Sequence, residues 1–71
     1  MLQFNATDEQ VEAIIKALRS HFGHVHEGRE RIYSYDYSWL LTDTHTDNEY
    51  YFKGSREEEE WFKTTFPNLN Y

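Results

Sequence analysis

The chain has 71 residues, 13 acidic against 7 basic, and no cysteine; that length holds one domain and no second. Disulfides and thiolate metal centres are excluded. A net charge of −6 with scattered Lys and Arg argues against direct nucleic-acid binding, because phosphates demand clustered cations. No stretch has the order of a signal peptide or the apolar length of a membrane span, so the expectation is a cytoplasmic protein.

A chain this short buries only about 60% of the surface its unfolded form exposes. Its aromatic content of 18% is the compensation, since each buried ring removes roughly 150–250 Å² from water.

In chain order, Leu2 and Phe4 alternate with Gln3, as in a short strand or an extended lead-in. The first helix follows. Thr7 and Gln10 spell a capping box, Asp8 and Glu9 complement the helix dipole, and Val11, Ile14, Ile15, Leu18 and Phe22 form one apolar stripe. Gly23 is the stop signal. His24 to His26 suits a strand, and Glu27-Gly28-Arg29 suits a turn.

From Arg31 to Thr42 the period is two: Tyr33, Tyr35, Tyr37, Trp39 and Leu41 fall on one face, with Ser34, Asp36 and Ser38 on the other. This predicts one long aromatic strand. Asp43 to Asn48 reads as a polar connection into a further strand, Glu49 to Lys53, which Gly54 breaks. Ser55 and Glu58 then form a second capping box, Trp61, Phe62 and Phe66 supply the apolar side of a second helix, and Pro67 ends it. The tail Asn68 to Tyr71 is expected to be loosely held, apart from a return of Leu69 to the core. The expected fold is α+β: a single domain, residues 1–71, with a three- or four-stranded antiparallel meander, two helices on one face, and the order (β)-α-β-β-β-α.

This element order resembles that of double-stranded-RNA-binding domains in topology alone. Glu57 to Glu60 reverse the charge where those domains meet phosphate, so binding of that kind is not expected.

The same run, Glu57, Glu58, Glu59 and Glu60, has two readings: helix-dipole chemistry, or, with Asp36, Asp47 and Glu49, a carboxylate surface that imitates a phosphate backbone. Tyr35, Tyr37 and Tyr50 are the aromatic anchors such a surface would use, since Tyr is favoured at interface hot spots. His24 and His26, two apart on a strand, with His45 in the following connection, have the residue types of a transition-metal site. Without a second ligand pair, solvent-facing histidines are the simpler reading, and no metal or cofactor is expected. Asp43 to Glu49 lacks the sixth-position glycine of a calcium loop and reads as turn chemistry. With 3 glycines and no nucleophile motif, catalysis is not expected.

The sequence therefore points to a non-enzymatic acidic interaction module. Its sharpest form is a small inhibitor, of the kind encoded by phages or mobile elements, whose carboxylates compete with nucleic acid for a basic cleft on a larger protein. A structural homodimer is the alternative, and a histidine–carboxylate metal binder a further one.

Overall fold

The computed structural model describes residues 1–36 and 38–71. Five strands and two helices follow in the order β1 (Leu2–Asn5), α1 (Asp8–Phe22), β2 (His26–Glu27), β3 (Ile32–Tyr35), β4 (Trp39–Asp43), β5 (Glu49–Lys53) and α2 (Arg56–Thr65), with a short 3₁₀ turn at Arg29–Arg31. The sheet runs β1-β5-β4-β3-β2, every neighbouring pair antiparallel.

The sheet thus has five strands instead of the three or four expected. One reason lies in Arg31 to Thr42, which folds back on itself. Tyr35 pairs with Trp39 and Tyr33 with Leu41 across the β3–β4 hairpin. Because Tyr35 and Trp39 are four apart, the alternation of faces passes through the turn unbroken, and the pattern is the same as for a continuous strand. The turn is held by Ser38, whose N–H and hydroxyl both donate to the Tyr35 carbonyl at 2.7 and 2.8 Å, and by a positive φ of 42° at Asp36. Tyr37 lies outside the described residues. The other reason is that β1 is a full partner of β5, with Phe4 opposite Tyr50.

Both helices form as their caps dictate. Thr7 accepts from the Gln10 N–H while the Gln10 side chain accepts from the Thr7 N–H. Ser55 and Glu58 do the same for α2. Gly23 takes the left-handed conformation, φ 86°, that ends α1.

One face of the sheet carries Phe4, Tyr33, Trp39, Leu41, Tyr50 and Phe52, all buried, against Val11, Ile14 and Leu18 of α1 and Phe62 of α2. Phe62 stacks on Phe52 at 4.3 Å and meets Phe4 at 5.3 Å, while Phe22 meets Trp39 at 5.5 Å. Both helices therefore lie on this face. In the tail Leu69 packs on the core as expected, but the rest departs from a loosely held end: Asn70 bridges to Asn5, and the Tyr71 hydroxyl donates to the Phe66 carbonyl at 2.8 Å. An aromatic ring with one good backbone acceptor is enough to dock a terminus that composition alone marks as free.

Candidate functional site

The antiparallel order divides the carboxylates between the two ends of the sheet. β5 starts, and β1 and β4 finish, at one end, so Asp43, Asp47 and the first turn of α1 (Asp8, Glu9) lie there. β3 finishes, and α2 starts, at the other, so Asp36 and Glu57 to Glu60 lie there with Tyr35. The strands between the ends are five residues long, or about 17 Å. The seven carboxylates suggested by sequence are therefore two groups, not one surface.

In the acidic run of α2, most of the charge is used within the chain. Glu58 caps Ser55. Glu59 accepts from the N-terminal amine, with its closer oxygen at 3.1 Å, and from the Gly54 N–H at 3.3 Å. Glu60 pairs with Arg56 one turn earlier, at 3.4 Å, an exposed pair of small energetic consequence. Space at Gly54 is tight: a Cβ would stand 2.9 Å from the Glu58 Oε1, which can swing aside, and 3.2 Å from the Trp39 Cβ, which would have to give by a few tenths of an ångström. Among the four, Glu57 is exposed with no hydrogen-bond or ion-pair partner among the described residues.

The aromatic anchors divide as well. Tyr50 is only 2% exposed and belongs to the core, which corrects its assignment to a contact surface: its neighbours on β5 alternate outward while it points under the helices. Tyr35 is half-buried against Phe22, ring centroids 6.0 Å apart. Tyr37 cannot be placed among these because it lies outside the described residues.

His24 and His26 meet edge to face at 4.5 Å. His45 is elsewhere, its N–H donating to the Asp43 Oδ1 at 2.7 Å. His26 sits across Ser34 from Leu40, the second residue of β4, whereas His45 lies beyond the far end of that strand. Among the described residues no group of three or more His, Asp or Glu side chains converges as metal ligands would.

Sequence reading missed the network at the first end. Arg31, in a left-handed conformation at φ 60°, lies 3.6 Å from both Asp8 and Asp43 and 5.8 Å above the Tyr50 ring. Hydrogen bonding with the Tyr33 side chain, with smaller contributions from Tyr50 and Asp43, raises the Arg31 pKa against the effect of burial. Burial pushes the Tyr50 hydroxyl up, with Arg31 opposing. No local motif marks this network, because Asp8 lies 23 positions before Arg31 and Asp43 lies 12 after it.

The β4–β5 loop is fixed beside it. Glu49 N–H donates to the Thr46 carbonyl at 2.8 Å over two left-handed residues, Asp47 (φ 40°) and Asn48 (φ 60°). Ala6 N–H donates to the Asn48 carbonyl at 2.9 Å, and the Asn5 side chain to the Asp47 carbonyl at 3.2 Å. A shallow cleft of about 250 Å³ remains between Thr7 and Gln10 on one wall and Asp47 and Asn48 on the other. Asp47 is thereby held across from the first turn of α1, whose Asp8 and Glu9 are exposed.

The second face of the sheet has no helix on it. Tyr51, Thr42 and Ile32 lie in one row and Lys53, Leu40, Ser34 and His26 in the next. Ile32 is 37% exposed, and Tyr51 and Leu40 are half-buried.

No helix among the described residues is long and apolar enough to cross a membrane. No family model, curated protein or solved structure is similar enough to the chain to match it.

Proposed function

We propose that the chain is a non-enzymatic, acidic interaction module that occupies a basic surface on a larger protein. The reading rests on one observation: the β4–β5 loop is tied to the β1–α1 junction through Ala6 and Asn5. Residues some forty positions apart, Asp8 and Glu9 on one side and Asp47 on the other, thus form one rigid acidic end. Arg31, the cation bonded there, is already engaged by Asp8 and Asp43. Carboxylates carried on a fixed backbone need no rearrangement of the chain to meet cations, and a field of one sign speeds encounter with a basic partner while repelling acidic ones.

A nucleic-acid-handling protein is the partner class whose basic cleft such carboxylates suit, and competition with nucleic acid is the inhibitory form of the reading. Asp36 and Glu57, at the opposite end, are a secondary surface. The experiment is capture of partners from a lysate on tagged protein at low and high salt, with Asp8→Asn/Asp47→Asn beside the parent chain. A basic protein retained at low salt, released as salt rises, and lost with the double variant supports the reading. Equal capture by both proteins contradicts it.

A further inference from the structure

We propose that the uncovered face of the sheet is the interface of a two-fold homodimer. This goes beyond the acidic-end reading and uses none of Asp8, Glu9 or Asp47. A sheet buries one face against helices; the other must be polar, or covered. Here it carries Tyr51, Leu40 and Ile32 at its centre.

The charge pattern selects a second copy as the cover. Along the exposed side of β5 the residues are Glu49, Tyr51 and Lys53. This sequence is complementary to its own reverse. Glu49 and Lys53 have no ion-pair partner among the described residues of the monomer. An axis in the interface plane, crossing the strands at the level of Tyr51, sets β5 antiparallel to the partner's β5. Lys53 of each chain then lies over Glu49 of the other, and Tyr51 faces its own copy. Leu40, which pairs with Lys53, comes over the residue bonded to Glu49, which is Thr44, and Ile32 over Ile32. An isologous contact requires this self-complementarity. A parallel arrangement would instead set Glu49 on Glu49.

Of the other acidic residues, Glu27 and Asp36 line a cleft with Ile32 and Leu40 at the β2–β3 side of this face, accompanied by Arg29, so the contact is centred on β5 and β4. Asp8, Glu9, Glu12 and Glu57 to Glu60 belong to the helices on the opposite side. Two sheets stacked this way lie about 10 Å apart, within about 30° of aligned. The five strands measure roughly 24 Å across and the rows about 15 Å along, less than the roughly 800 Å² per partner of a standard interface. The dimer is therefore weak and concentration-dependent.

The test is sedimentation of the untagged chain from about 10 µM to about 1 mM, for the parent, Glu49→Lys, Lys53→Glu, and the doubly exchanged variant. Thermal melts of each check that the substitutions at half-buried Glu49 and exposed Lys53 leave the fold intact. The proposal expects the parent's mass to rise from one chain to two. Each single reversal should weaken association roughly tenfold, and the exchange of both charges should restore it. A single-chain mass at every concentration would overturn the proposal, as would single variants that associate like the parent, or a double variant no tighter than the singles. None of these results bears on capture by the acidic end, since the variants used there are different.

Discussion

The rings of Phe52 and Phe62 stack 4.3 Å apart at 16°, and this pair fastens α2 to the sheet. Phe62 is fully buried and also touches Phe4 and Phe66. Truncating it opens a cavity that three neighbouring rings are too stiff to fill. Phe62→Ala should cost about 3–5 kcal/mol, against a total of roughly 4–10 kcal/mol for a chain of this size. Denaturant melts should find Phe62→Ala largely unfolded and Phe62→Leu folded with a lowered midpoint; an Ala variant as stable as the parent would mean that α2 is not part of the core.

The β4–β5 loop offers the opposite sign. Its left-handed pair, Asp47 and Asn48, meets the requirement of a type I′ turn, for which glycine is preferred at the second position. Asn48 contributes its carbonyl to Ala6, and glycine retains that group. Asn48→Gly should therefore stabilise by about 0.5 kcal/mol, and Asn48→Val should destabilise by about 1–2 kcal/mol. In thermal melts the first corresponds to a rise of roughly 2–4 °C.

Alkaline pH should unfold the chain through its tyrosines. Burial raises the Tyr50 pKa above the ordinary tyrosine value, and burial raises that of Tyr71 likewise. The folded state thus holds these protons more tightly than the unfolded one. Their contribution is fully present below about pH 10 and is lost as pH rises through the raised folded values. The melting midpoint should fall above about pH 10, and Tyr50→Phe should flatten that fall. Parallel curves for variant and parent would contradict the burial argument.

Much of the architecture was legible because local chemistry agreed with tertiary packing. Thr7 with Gln10, Ser55 with Glu58, and Gly23 all act where their types and spacing indicated. The β3–β4 hairpin was hidden because its turn preserves parity: Tyr35 and Trp39 face the same way whether the chain runs straight or doubles back. The acidic run misled in a different manner. Composition registers four glutamates but not that Glu58 and Glu59 are bonded to Ser55, Gly54 and the N-terminal amine. The end that gathers Asp8, Asp43 and Arg31 depends on strand order, which no short window of sequence contains. Tyr50 was misassigned to the surface because β5 offers aromatics on both faces, and only register decides which turn inward.

The central claim is that one end of the molecule, not its overall charge, recognises the partner. The direct measurement compares capture by Asp8→Asn/Asp47→Asn with capture by Asp36→Asn/Glu57→Gln, two variants of equal net charge from opposite ends. Melting midpoints establish that both are folded. The account predicts that the first variant loses the salt-sensitive partner and the second keeps it. Equal loss from both would mean that net charge alone governs binding, and loss confined to the second would assign recognition to the α2 end.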